Sequence, residues 1–359
     1  MNQRQRAQQL FEKSGKPFIV GDKRHCPISP SELAQTTSDS YYVVESFDGG
    51  LTAEVFHIRI DGKDYTLKKK RPTARVQNLD GEYSFLNEVQ RRADFHKLKN
   101  DPTRANDFRC IVETVYADYR LGVILSEWIE GTPFEPTPKL LSDLFSTLAS
   151  CEQAGLFEWD LCSGNLLLDD NNQLKLFDFG YMYPFEPRHE FNSDGINAPL
   201  FQFCERFETR FFSGWALEYS GNVQDRISVF RTVKQAAYIA LEAKLAWLKK
   251  ENGSDEVIAL TESLRNRYQQ ALDDRALLEQ LYLVEMFRSH VLDIEDDLHG
   301  KSCTPMTIKR AEAVLEMIAQ HFTLLADQGA LFFDNEGKTQ KELIDIYQHK
   351  RILAEKYQL

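Results

Sequence analysis

Three oxygen-bearing side chains stand at spacings that chemistry can use. Asp160 and Asn165 are five residues apart in Asp160-Leu161-Cys162-Ser163-Gly164-Asn165, and Asp178 follows thirteen residues later in Phe177-Asp178-Phe179-Gly180. A carboxylate such as Asp160 can orient an attacking hydroxyl and accept its proton. A carboxylate and an amide oxygen, here Asp178 and Asn165, are ligands that a hard divalent cation takes, and the amide adds no second full charge. Gly180 lets the backbone turn sharply after Asp178. A plain surface hairpin could use the same turn residues. The two readings are separated by the upstream half of the chain.

Taken with Phe157-Glu158-Trp159 and the Leu166-Leu167-Leu168 run, the pattern resembles the protein-kinase-like phosphotransferase superfamily. The catalytic loop of that family reads H-R-D-L-x-x-x-N and its metal loop reads D-F-G. The resemblance implies transfer of the ATP γ-phosphoryl group to a hydroxyl. Asp160 would be the catalytic carboxylate, and Asn165 and Asp178 would hold Mg²⁺. Upstream, Asp48-Gly49-Gly50-Leu51-Thr52-Ala53-Glu54-Val55 is similar to the family's G-x-G-x-x-G-x-V loop. Only Gly50 and Val55 match, and Asp48 and Ala53 replace the outer glycines. Gly49-Gly50 still lets backbone amides approach phosphate, while Asp48 adds like charge there.

Thirteen residues after Val55, Tyr65-Thr66-Leu67-Lys68 resembles the strand whose lysine holds the α- and β-phosphates. Alternation puts Lys68 on the face of Thr66, with Lys70 as the competing register. The family's lysine pairs with a helical glutamate. Glu88, twenty residues beyond Lys68, fits that position, and Glu82 is the competitor. Residues 123–131 are similar to the segment that joins the family's two lobes. The match implies that the Glu127 carbonyl and the Ile129 amide bond adenine, with Val55, Thr66 and Leu167 sandwiching the base. Ser126 would leave the back of that pocket open.

The pattern also departs from the family. Glu158-Trp159 replaces His-Arg before Asp160, so the arginine that reads an activation-segment phosphate is missing. The like charge of Glu158 beside Asp160 would push a carboxylate pKa up. No A-P-E triplet follows Gly180; Tyr181-Met182-Tyr183-Pro184-Phe185-Glu186-Pro187 stands there instead. The distance from Ser126 to Asp160 is short. These features point to an atypical, bacterial-type or small-molecule-type member. The acceptor hydroxyl would belong to a protein Ser/Thr or to a small molecule or sugar. A catalytically weak pseudokinase, acting as a binding or scaffold module, is the alternative.

These residues need elements to hold them. Residues 41–44 are β-prone, 55–60 alternate apolar and polar, Asp61-Gly62 signals a hairpin and 65–67 resume as its partner strand. A helix is expected over 80–98, with Phe85, Leu86, Val89 and Phe95 inward. Strands follow at 111–116 and 121–128, then an amphipathic helix over 140–154 capped by Gly155. Short strands at 166–168 and 174–177 flank the Asp169-Asp170-Asn171-Asn172 turn. Helical periodicity fills 224–250, 255–273, 276–298, 305–327 and 338–357, with Thr304-Pro305 as a start signal. The fold class expected is α+β: a protein-kinase-like bilobal fold, with a small β-rich N-lobe and a larger helical C-lobe carrying additional C-terminal helices. Residues 1–40 read as a polar extension, 41–126 as the N-lobe and 127–250 as the C-lobe with its catalytic and metal loops. Residues 251–359 read as the C-lobe's helical end or an appended helical region, whose helices offer a possible surface for a protein partner.

Composition agrees with a folded chain. The 359 residues are 42% hydrophobic and 27% charged, and the prior is two domains or lobes. A net charge of −12 argues against nucleic-acid binding. No run of about 18 apolar residues exists, so no membrane insertion is expected, and the N-terminus lacks the apolar core of a secretion signal. Six scattered cysteines without a CxxC pair fit a reducing, cytoplasmic setting. Cys162, inside the loop, reads as a small filler.

Overall fold

The structure is a computed structural model that describes residues 1–76 and 78–358. It is α+β, with an antiparallel sheet in the N-terminal part and a larger helical C-terminal part. The chain forms two compact units. One comprises Met1–Phe134 and Gly164–Tyr183; the other comprises Glu135–Ser163 and Pro184–Leu359.

The first unit is built on six antiparallel strands: β1 (Ile19–Gly21), β2 (Val43–Phe47), β3 (Ala53–Ile60), β4 (Lys63–Lys70), β5 (Thr114–Asp118) and β6 (Val123–Glu127). Their order is β1-β5-β6-β4-β3-β2. Asp61 and Gly62 join β3 to β4 with φ of 51° and 76°. Two successive left-handed residues make the tight turn whose twist suits a two-residue hairpin. The register pairs Val55 with Lys68, and Thr66 with Ser126. One face of the sheet therefore carries Val55, Thr66 and Lys68. The other buries Phe56, Ile58, Tyr65, Leu67, Val123 and Leu125 in a core with Leu33 and Tyr42.

Helix α3 (Leu79–Lys99) covers the first face. Its N-cap Asn78 accepts the Gly81 N–H at 2.8 Å, and Phe85, Leu86 and Val89 pack on Ala53, Ala117 and Ile124. Residues 1–40 supply α1 (Gln3–Ser14), the edge strand β1 and α2 (Pro30–Ala34). Pro30 starts a helix at its first position, where its missing N–H costs nothing. A second small sheet, in the order β10-β9-β7, joins β7 (Thr132–Pro133), β9 (Leu166–Leu168) and β10 (Leu174–Leu176).

The second unit contains α4 (Pro138–Gln153), β8 (Leu156–Glu158), α5 (Phe203–Phe207), a π turn (Glu208–Phe212) and α6 (Ser213–Glu218). Then come α7 (Val223–Lys250), α8 (Asp255–Asp273), α9 (Arg275–Gly300), α10 (Pro305–Asp327) and α11 (Gln340–Lys356). Val284, Phe287, Val291 and Ile294 of α9 share a core with Ala311, Val314 and Ile318 of α10 and with Leu343 and Tyr347 of α11. Among the described residues, no helix is long and apolar enough to cross a membrane.

Candidate functional site

Three expected residues of the first unit come together around one ammonium. Lys68 Nζ, on β4, lies 3.1 Å from each carboxylate oxygen of Glu88 on α3 and 2.8 Å from Asp178 Oδ2. Lys68 and Glu88 are buried. Burial alone would push the Lys68 pKa down; the Asp178 and Glu88 charges reverse this and hold it above its ordinary value. Asp178 shows the mirror image. Burial pushes its carboxyl up, but the Lys68 ammonium and its hydrogen bond win and hold it below the usual carboxylate range.

The competing lysine is occupied elsewhere. Lys70 Nζ donates to the Tyr119 hydroxyl at 3.1 Å and lies over its ring. In the ion pair of Lys68, Glu88 is the helical partner, one turn and more beyond Glu82.

The sequence reading missed Arg92. One turn after Glu88, it is 2% exposed and donates to Glu88 Oε1 at 2.8 Å, Ser126 Oγ at 2.9 Å and Thr114 Oγ1 at 3.1 Å. Its guanidinium lies 5.2 Å from the Phe179 ring centroid. Ser126 therefore does not leave an open space behind it: the Arg92 side chain is bonded there. An arginine among helical charges carries no sequence signal for burial, apart from its i,i+4 spacing from Glu88.

The β9–β10 hairpin carries the two candidate metal ligands. The Phe177 N–H donates to the Asn165 carbonyl at 3.3 Å, so the pairing sets Asn165 opposite the neighbour of Asp178. Asp178 itself is left-handed, with φ 68°. The sharp turn falls on Asp178 and not on Gly180; Gly180 is needed because a Cβ there would collide with Ser84 Oγ of α3. Among the described residues, no three carboxylate, imidazole or thiol side chains are grouped to hold a metal by themselves. One carboxylate and one amide oxygen suit Mg²⁺, which takes few protein ligands beside phosphate oxygens.

The loop between β2 and β3 is fastened by cations. Arg71 Nε donates to the Gly50 carbonyl at 2.9 Å and Arg75 Nη1 to the Asp48 carbonyl at 2.7 Å. A Cβ on Gly50 would collide with the Ala53 carbonyl, whereas around Gly49 there is open space. Val55, Thr66, Ile129 and Leu167 are half-buried, unlike their buried neighbours Phe56, Leu67 and Leu168. Thr66 Oγ1 lies 3.4 Å from the Glu127 carbonyl, which it can reach as a donor. Trp128 stacks on His57 with centroids 3.7 Å apart and planes at 4°.

Asp160 belongs to the second unit and has its own partners. Glu158 Oε1 accepts the Asp160 backbone N–H at 2.7 Å, so the expected like-charge neighbour acts as a cap for the loop. Arg210 Nε, on the π turn, donates to Asp160 Oδ1 at 2.9 Å. Its Nη1 donates to Asp293 Oδ1. Burial would push the Arg210 pKa down, but Asp293 and Asp160 hold it far above, so it stays charged. Trp159 Nε1 donates to Ser193 Oγ at 2.8 Å.

No family model matches the chain. Over 162 residues the sequence is 27% identical to a probable serine/threonine-protein kinase of Arabidopsis thaliana. The match takes in 43% of this chain and 28% of that relative, so it spans under a third of the plant protein's length. The chain thus has a distant and partial similarity to a Ser/Thr protein kinase.

Proposed function

We propose that the protein is an ATP- and Mg²⁺-dependent phosphotransferase with a protein-kinase-like fold, moving the ATP γ-phosphoryl group to a hydroxyl. The observation that carries this reading is the Lys68 ammonium held between Glu88 and Asp178. Lys68, fixed by Glu88, would contact the α- and β-phosphates. Asn165 and Asp178 would hold Mg²⁺, whose charge offsets that developing on the transferred group. The amides of Gly49 and Gly50 would face the phosphates. Val55, Thr66 and Leu167 would flank adenine, and the Glu127 carbonyl and Ile129 amide would bond its edge. Asp160 would orient the acceptor hydroxyl and take its proton.

The distant similarity to a Ser/Thr kinase supports a protein hydroxyl as acceptor; the missing A-P-E triplet supports a small molecule or sugar. The test is turnover of [γ-³²P]ATP with Mg²⁺ by the purified protein, beside Asp178→Ala and Asp160→Asn. Label on the protein, absent from both variants, is the result expected for a protein acceptor. Mg²⁺-dependent ATP binding and hydrolysis without label would direct the search to small-molecule acceptors. Neither turnover nor binding would overturn the reading in favour of a pseudokinase scaffold.

A further inference from the structure

The environment of Asp160 contains a device that the sequence motif does not include. Arg210 sits in the π turn between α5 and α6. A π turn inserts one residue into a helix and re-aims the side chains around it; such turns concentrate at functional sites. Here the re-aimed guanidinium spans two carboxylates, with Nε on Asp160 Oδ1 at 2.9 Å and Nη1 on Asp293 Oδ1.

Asp293 is held in turn. Its Oδ2 lies 2.7 Å from Arg310 Nε, and Arg310 Nη1 donates to Ser213 Oγ at 2.5 Å and lies 3.2 Å from His290 Nδ1. Asp293, Arg310 and His290 are buried. The charge order is therefore acid, base, acid, base. It runs from a half-buried carboxylate on the loop into the packed core of α9 and α10. Each buried charge faces an opposite one, which is the condition for keeping such groups inside. His290 is neutral, its pKa pushed down to about 3 by burial and by the adjacent Arg310. It can thus accept from Arg310 without adding a third positive charge.

A planar guanidinium presents its N–H donors at fixed angles, so pinning one edge on Asp293 fixes where the other edge holds Asp160. We propose that Arg210 is a positioning residue for the reaction: it fixes the rotamer of the Asp160 carboxylate through Oδ1, and a carboxylate has acceptor capacity beyond one such bond with which to engage the acceptor hydroxyl. The proposal rests on the reading of Asp160 as proton acceptor. In the reaction the hydroxyl oxygen bonds to the γ-phosphorus, the bond to the β–γ bridging oxygen breaks, ADP leaves, and the hydroxyl proton goes to Asp160. Arg210 keeps its protons throughout.

The experiment measures Mg²⁺-dependent ATP turnover for wild type, Asp160→Asn, Arg210→Ala and Arg210→Lys, with thermal unfolding of each. Loss of positioning costs about a hundredfold in kcat, with KM for ATP unchanged. Arg210→Lys, which keeps the charge but not the fork, recovers part of it. Added guanidinium chloride, far below unfolding concentrations, raises the rate of Arg210→Ala, which a purely structural defect would not allow. If Arg210→Ala is unfolded at the assay temperature, Arg210→Lys carries the test, because a wild-type rate there overturns a role for the fork. If Asp160→Asn loses turnover while Arg210→Ala keeps the wild-type kcat, or changes only KM for ATP, the role of Arg210 is refuted and that of Asp160 stands. If Asp160→Asn turns over at the wild-type rate, or the wild type does not turn over at all, the reading of Asp160 itself fails and this proposal falls with it.

Discussion

Lys68 Nζ lies 2.8 Å from Asp178 Oδ2, closer than to either oxygen of Glu88. One ammonium thus faces two carboxylates from different elements, β4 supplying the cation, α3 one anion and the hairpin of β9 and β10 the other. Glu88 is also neutralised by Arg92. Removing Asp178 leaves Lys68 and Arg92 sharing the single carboxylate of Glu88, so each buried cation keeps an anionic partner although the group then carries one net positive charge. Asp178→Ala is expected to fold, to melt within a few degrees of the wild type, and to lose the Mg²⁺-dependent part of ATP binding. Calorimetric titration of ATP with and without Mg²⁺ checks this; an unchanged Mg²⁺ effect would remove Asp178 from the metal site.

Glu88 has the opposite standing. It is 3% exposed and answers both Lys68 and Arg92. Glu88→Gln strands the buried Arg92 guanidinium and leaves Lys68 with Asp178 alone, a loss of about 3 kcal/mol by the usual cost of breaking a buried pair on one side. Arg92→Met placed on top of it removes that stranded cation and should return part of that stability, since the sites touch and their effects are not additive. Urea unfolding of the two single variants and the double variant measures the coupling. Simple additivity would mean that Arg92 and Glu88 do not share their energy.

Arg71 tests the loop. Its hydrogen bond to the Gly50 carbonyl fastens the Gly49–Gly50 segment from outside. A charge-assisted bond of this kind contributes about 1.5 kcal/mol, so Arg71→Ala should raise KM for ATP about tenfold and leave kcat nearly unchanged. Steady-state kinetics against ATP separates the two; a fall in kcat alone would show that the loop acts on the chemistry and not on nucleotide binding.

His290 gives a pH signature of stability. Its folded pKa, about 3, is far below the ordinary histidine value of 6.5 because burial and Arg310 disfavour its charged form. Between these values the unfolded chain takes up a proton that the folded chain does not, so the contribution is complete above pH 6.5 and is lost as pH falls toward 3. The slope is about 1.4 kcal/mol per pH unit. Relative to His290→Gln, the wild type should lose stability between pH 6.5 and 5. Denaturant unfolding at both values measures the difference; parallel curves would mean that His290 is protonated in the folded protein.

The parts of the molecule legible in the sequence are those where local chemistry and tertiary placement agree. Asp61-Gly62 announces a turn that needs two left-handed residues, and both are left-handed. Phe85, Leu86, Val89 and Phe95 repeat at helical spacing and all four are buried. Lys68 follows from strand alternation, because register alone puts it on the face of Thr66. The helix α5 and its π turn were not legible. Residues 203–209 are buried on every side, so no polar stripe reveals the period, and the inserted residue shifts whatever period remains. Arg210 was missed for that reason, and Arg310 and Asp293 because their pairing joins α10 to α9 across positions seventeen residues apart. Within residues 1–40, read as a polar extension, the strand β1 gave no signal of its own because three residues are too few to show alternation.

The face-to-face stack of Trp128 on His57 has a use outside chemistry. Indole fluorescence is sensitive to an imidazole in contact with its ring, and Trp128 lies between Glu127 and Ile129. The other three tryptophans, Trp159, Trp215 and Trp247, all belong to the second unit. A variant with those three replaced by phenylalanine would carry a single emitter, and its brightness would report changes in the contact between Trp128 and His57. The protein thus contains an optical gauge for the strand end at which a nucleotide base is proposed to dock, readable in real time and without a label.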